Sequence, residues 1–198
     1  MSNLLQLISF PATQAFKENP TVIAPALSVF SKDNTSGVFF GKQFEDQNKG
    51  YVAIVWKGLA IESDAFAKFS EDAKDIISQS QATTYHIVAD GDPIESLKAP
   101  ATEFAFAKLR KEENREPLID TVKELYAHFA TVQGNYGPVY GTVEKVNEDN
   151  SKERDLVAVV GWDSPQRHGE TAKGLPGIAK LVELSQLTVF HVAFTQSD

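Results

Sequence analysis

The chain has 198 residues, of which 42% are hydrophobic and 10% aromatic, with a formal net charge of −8 and no cysteine. That length and apolar content support one substantial domain or two small ones around a packed core. The acidic balance, without any Lys/Arg cluster, excludes the basic footprint that nucleic acid or an anionic membrane surface requires. The missing cysteines exclude disulfides, thiolate metal sites and cysteine nucleophiles.

No run approaches the roughly 18 apolar residues of a membrane span. The opening stretch MSNLLQLISF lacks a basic n-region, so no signal peptide is read and the expected location is cytoplasmic.

In chain order, LLQLISF (Leu4 to Phe10) is a short apolar run suited to a buried strand. Asn19-Pro20 then offers a cap followed by proline at the first helical position, and Val22, Ile23, Ala26, Leu27 and Phe30 recur at helical spacing, with Pro25 predicting a kink or late start. SGVFFGKQFED and GYVAIVWKG, joined through QNKG, read as a hairpin. Phe66, Phe69, Ala73 and Ile76 mark a second helix, and QATTYHIVAD (Gln81 to Asp90) closes the unit as a strand.

The same order then repeats. TEFAFAKL is a strand, and Leu118, Val122, Leu125 and Phe129 mark a helix. PVYGTVEKV and RDLVAVVGW form a hairpin with the polar tip NEDNSKE. Ser164-Pro165 starts a helix that Gly169, Gly174 and Pro176-Gly177 are expected to interrupt before IAKLVELS. The last strand, QLTVFHVAFT (Gln186 to Thr195), echoes QATTYHIVAD with its histidine in the same place. YVAIV at Tyr51 likewise returns as LVAVV at Leu156, and both repeats fall at one offset of 105 residues.

The order βαββαβ is thus written twice. Residues 1–97 are expected to form one unit and 98–198 the other, with the polar stretch Gly91 to Pro100 as linker. Each unit would make a four-stranded antiparallel sheet with both helices on one face, a ferredoxin-like α+β arrangement. Two such sheets can cover each other as an eight-stranded barrel with helices outside.

GWDSPQRH, Gly161 to His168, resembles the Gly-Trp-acidic-Ser…His pattern of the dimeric α/β barrel superfamily, which includes antibiotic-biosynthesis-monooxygenase-like and stress-responsive A/B barrel domains. The first half keeps Trp56 but continues KGLAIESDAF, without the histidine. The resemblance implies that the two units pair within one chain as a pseudo-dimer, and leaves open a further homodimer. It implies a function among cofactor-free oxygenases, cyclases, isomerases and haem degraders. The stress-responsive cyclase-like members carry a histidine on the first strand, and the haem degraders pair Asn, Trp and His with a longer Trp-to-His gap than Trp162 to His168. Neither first strand here supplies the histidine or the asparagine.

Alternation along the histidine strands separates Tyr85, Ile87, Phe190 and Val192 from His86 and His191. With the bulky set placed under the helices, His86 and His191 are expected to point into the barrel and act as general bases, because imidazole titrates near neutral pH. Tyr85 or Tyr140 would bond a substrate oxygen, Trp162 would stack on its ring, and Trp56 and His168 complete the candidate contacts. The bland alternatives are satisfied core histidines and tryptophans that plug helix packing. His128 reads as a boundary residue.

The four histidines lie far apart in sequence, so no metal is expected, and no nucleotide motif or other cofactor is indicated. The expected ligand is a small hydrophobic or aromatic molecule, phenolic or polyketide-like, held in a barrel cavity. The competing reading is a structural protein whose barrel is filled and whose function lies on its outer surface. The inward residues discriminate: Phe39, Phe106 and Trp56 inside would fill the barrel, whereas Thr84, Ala53, Ala158 and Ala193 inside would leave room.

Overall fold

Strands that alternate large apolar residues with a second, differently buried set must be covered on both faces. The computed structural model, which describes residues 3–77, 81–146 and 152–197, covers them by closing the sheet on itself. Its strands are β1 (Asn3–Pro11), β2 (Thr35–Gln43), β3 (Lys49–Trp56), β4 (Thr83–Ala89), β5 (Ala101–Leu109), β6 (Asn135–Val146), β7 (Lys152–Trp162) and β8 (Ser185–Gln196). They form a closed barrel in the order β1-β3-β2-β8-β5-β7-β6-β4, every neighbouring pair antiparallel. Read as β4-β1-β3-β2 and β8-β5-β7-β6, the order is that of two tandem ferredoxin-like units.

The helices are α1 (Gln14–Glu18), α2 (Ala24–Leu27), α3 (Ser63–Asp72), α4 (Ile94–Lys98), α5 (Arg115–Phe129), α6 (Pro165–Ala172) and α7 (Pro176–Leu184). The expected first helix is broken: α1, a 3-10 turn over Pro20–Ile23 and α2 follow one another. Pro25, at the head of α2, cannot donate an amide hydrogen bond, which favours this segmentation. Gly169 does not interrupt α6, because a single helical glycine costs only about 1 kcal/mol; the break comes between Ala172 and Pro176.

The stretch expected as a polar linker contains α4, whose Leu97 and Ser96 are fully buried. Leu97 joins the barrel core, and the Ser96 hydroxyl bonds the Gly137 carbonyl. Of the expected tip NEDNSKE, residues 147–151 lie outside the described residues.

The barrel interior is filled. Tyr51, Phe104 and Phe106 stack on Phe190 with ring centroids 5.1, 5.5 and 6.0 Å apart, and Phe39, Phe194, Leu5, Leu7, Ile87, Val159 and Val192 pack around them. This reverses the expected sidedness of the histidine strands. Tyr85, Ile87, Phe190 and Val192 face the barrel, so His86 and His191 face outward. A barrel of eight strands has room for the large alternates of every strand at once, whereas the short helices cover each sheet only in part. The sequence criterion splits accordingly. Phe39, Phe106 and Ala53 lie inside, while Trp56 and Ala158 belong to the outer layers.

Register also corrects the repeat. Leu4 pairs with Trp56 and Gln6 with His86 in the first unit; Ala101 pairs with Trp162 and Glu103 with His191 in the second. The histidine strands keep their 105-residue offset. The tryptophan strands are equivalent at 106, so Ala53 matches Val159 rather than Ala158. One residue decides the face in a strand.

Two glycines allow close approaches. A Cβ on Gly41 would lie 2.0 Å from the Ala193 carbonyl oxygen at the β2–β8 seam, and one on Gly177 would lie 2.8 Å from Leu125, where α7 meets α5.

Candidate functional site

Between the outer face of the second unit's sheet and α5–α7 lies a cavity of about 210 Å³. Its walls are mostly carbon: Ala105 and Leu187 from the sheet, Ala158 and Val160 beside them, Val122, Leu125 and Phe129 from α5, Ile178 and Leu181 from α7. Helical spacing in α5 presents Leu118, Val122, Leu125 and Phe129 on one face. Small residues on the strands leave the space that this face does not fill.

Three titratable groups line it: Glu103 on β5, His168 on α6, and Tyr126 on α5, whose hydroxyl donates to the Val139 carbonyl at 2.7 Å. Glu103 is buried, and one carboxyl oxygen accepts a hydrogen bond from the Trp162 indole at 2.7 Å. Burial drives its pKa up from 4.5 to about 7, against the opposing pull of that indole N–H. His168 is placed by the cap of α6, where the Ser164 hydroxyl accepts the Arg167 amide at 3.1 Å. Its ring stacks on Trp162 at 5.3 Å, and its Nε2 lies 3.6 Å from Glu103. Burial and then the nearby His191 bring its pKa down to about 4, only partly countered by Glu45.

His168 Nδ1 is 2.9 Å from His191 Nε2. His191 in turn places Nδ1 2.6 Å from Glu45, whose carboxylate also accepts the His191 backbone N–H at 3.0 and 3.2 Å. Burial raises the Glu45 pKa, but the His191 ring and amide bonds outweigh it and hold the carboxyl below its ordinary value.

The predicted residues divide. His191 and His168 come together with Trp162, although Trp162 is fully buried behind His168 rather than on the cavity wall. Tyr140 packs against Tyr126 on the outside of the sheet, and its hydroxyl pairs with Asp90. Tyr85 lies in the barrel against Phe106, at a mouth depression of about 250 Å³. His86 is exposed on β4, opposite Gln6. Trp56 is buried in the first unit and donates to Gln6 at 3.0 Å. Sequence reasoning missed Glu103, Glu45 and Tyr126; the signal for Glu103 was a lone acid inside an apolar strand.

The first unit carries the same frame without the chemistry. Gln6–Trp56 stands where Glu103–Trp162 stands, and Phe30 meets Trp56 edge-on at 5.7 Å as Phe129 meets Trp162 at 5.2 Å. Its smaller hollow, about 170 Å³, is lined by Ile8, Phe66, Phe69, Ala73 and their neighbours, with no carboxylate or imidazole among the described residues.

No protein-family model matches the sequence, and no curated protein matches it at significant similarity. Solved structures do. A protein of Lactobacillus acidophilus NCFM provisionally assigned as a monooxygenase shares 15% identity, with 100% of this chain and 96% of that one covered and a TM-score of 0.65. A second provisional monooxygenase, from Fusobacterium nucleatum, shares 8% over 100% and 94% at a TM-score of 0.63. An anthrone oxidase-like protein shares 11% over 99% and 93% at 0.60. The chain shares their fold, two ferredoxin-like units closed into one eight-stranded barrel. At these identities the likeness is one of fold, and the site must be argued from its own residues.

Haem, one of the ligands that the resemblance of GWDSPQRH implies, does not fit the cavity. A tetrapyrrole exceeds about 210 Å³, and His168 has Nδ1 on His191 and Nε2 turned toward Glu103. The sequence argument against a metal rested on distant histidines, yet folding brings ligand atoms of Glu103, His168 and His191 within 4.8 Å of one another. The two histidines meet through a hydrogen bond between their rings, which engages each imidazole with the other. Among the described residues no helix is long and apolar enough to cross a membrane.

Proposed function

We propose that the second unit binds a small aromatic or otherwise apolar molecule in the cleft between sheet and helices and catalyses proton transfer on it, with Glu103 as the acid–base group. The observation that carries this reading is a buried carboxyl at the polar end of an apolar cavity, with its pKa raised to about 7. A general base works best with a pKa near the operating pH, and burial is the means by which a carboxyl reaches it. A space of about 210 Å³ suits one or two fused rings.

In this scheme a phenolic or polyketide-like compound lies with its rings among Ala105, Leu125, Ala158 and Val160. Glu103 removes a proton from an acidic carbon or hydroxyl beside the ring, and His168 Nε2 receives that proton from it in turn. Trp162 fixes both groups, donating to one and stacking on the other. The resulting enolate or phenolate can be reprotonated elsewhere, close a ring, or react with dioxygen; isomerase, cyclase and monooxygenase outcomes share this first step. His191 serves through His168, and His86 takes no part.

The test uses β-tetralone, a two-ring ketone with an acidic α-carbon, in deuterated water. The protein should accelerate deuterium entry at that carbon, and Glu103→Gln should lose roughly 10²-fold or more of the acceleration. Equal rates in the two proteins would refute the assignment.

A further inference from the structure

Four side chains run in line from the cavity to the surface. Glu103 lies at the inner end, His168 Nε2 is 3.6 Å from it, His168 Nδ1 is 2.9 Å from His191 Nε2, and His191 Nδ1 is 2.6 Å from Glu45. The side chain of Glu45 is 43% exposed, whereas those of Glu103, His168 and His191 are 6%, 15% and 7% exposed. The outer end is the most exposed of the four.

With both rings neutral, the hydrogen bonds have one self-consistent direction. An ionised Glu45 can only accept, so His191 donates from Nδ1 and keeps a lone pair on Nε2. His168 must then donate from Nδ1, which leaves its own Nε2 as a lone pair facing the buried acid. Every N–H points outward and the vacant acceptor points inward.

We propose that Glu103, His168, His191 and Glu45 conduct protons between the cavity and solvent, with Glu45 of the first unit as the outer terminus. The proposal rests on the reading of Glu103 as the acid–base group and supplies its means of reset. Glu103 gives its proton to His168 Nε2, the Nδ1 proton of His168 passes to His191 Nε2, and the Nδ1 proton of His191 passes to Glu45 and then to water. At each step one bond to hydrogen breaks and one forms. Glu103 ends as the carboxylate, and both rings end with the proton on the opposite nitrogen, restored by reverse passage or ring rotation. The 3.6 Å step is longer than a hydrogen bond; catalytic contacts of this kind tighten in the substrate complex.

The outer terminus is held from both units. The Phe44 amide donates to the His191 carbonyl at 2.9 Å, while the Glu45 carboxylate takes both the His191 amide and its ring. The counterpart position in the first unit lacks these parts, because Gln6 cannot carry a proton and His86 is exposed.

The test measures deuterium entry into β-tetralone for the intact protein, Glu45→Gln, Glu45→Ala and His191→Gln, together with nitrogen-15 spectra of the imidazoles without any ligand. The Gln variant keeps an acceptor for His191 but cannot take a proton. Exchange should fall roughly 10-fold or more in all three variants, and added formate should restore Glu45→Ala, which a merely structural defect would not allow. The ligand-free spectra should show both rings as Nδ1–H tautomers. Undiminished exchange in Glu45→Gln, no rescue by formate, or the opposite tautomers would overturn the proposal, as would stoichiometric zinc binding that shifts both rings. If β-tetralone is not exchanged even by the intact protein, the proposed function fails, and the tautomers still decide the relay.

Discussion

Glu103 and His168 carry opposite consequences for stability. A carboxyl whose folded pKa rises from 4.5 to about 7 favours the fold below 4.5 and loses that contribution as the pH climbs to about 7. An imidazole whose folded pKa falls from 6.5 to about 4 favours the fold above 6.5 and loses that contribution as the pH drops to about 4. The two slopes oppose each other between 4.5 and 6.5, so the intact protein hides them. Thermal unfolding of the single variants should expose them. The stability of Glu103→Gln relative to the intact protein should rise from pH 4.5 to 7, and that of His168→Gln should fall from pH 4 to 6.5. A pH-independent difference for both would mean that neither group is buried as described.

At the scale of elements, the order βαββαβ, the hairpins and the eight-stranded barrel were legible because period-2 and helical patterns repeat along the chain. The side on which each strand face lies was not. His86 and His191 alternate correctly with Tyr85 and Phe190, but alternation carries no information about which face is the barrel. The histidine strands were therefore read inside out, and the cavity was sought inside the barrel, which Phe104, Phe106 and Phe190 fill. His168 and Trp162 were legible through GWDSPQRH. Glu103 was passed over because an acid in TEFAFAKL looks like an edge charge until its pairing with His191 is known.

The open cleft depends on small residues where the first unit has large ones. Register sets Ala105 of β5 opposite Val189 as Ile8 of β1 is opposite Thr84, which makes Ala105 and Ile8 equivalent. Ala105→Ile should therefore abolish β-tetralone binding by titration while changing stability by no more than the roughly 1–3 kcal/mol of overpacking. Unaltered affinity would place the ligand elsewhere.

For the whole molecule, one chain closes a barrel through the β2–β8 and β4–β6 seams, and the two copies have diverged in the side chains under their helices. The first retains the tryptophan and its amide partner and lines a smaller hollow with Ile8, Phe66 and Phe69. The second keeps the space and the acid, and takes Glu45 from its neighbour across β2–β8. Duplication within one chain allows such asymmetry, which a symmetric pair of identical subunits could not hold.

The central claim is that the ligand sits outside the barrel, under α5–α7. Mapping β-tetralone by chemical-shift changes over the whole chain tests it most directly. The account predicts saturable shifts at Ala105, Leu125, Ala158, Val160 and His168, with none at Ile8, Ala73 and Thr84. Shifts confined to Tyr85, Phe106 and Phe190 at the barrel mouth, or no saturable binding, would contradict it.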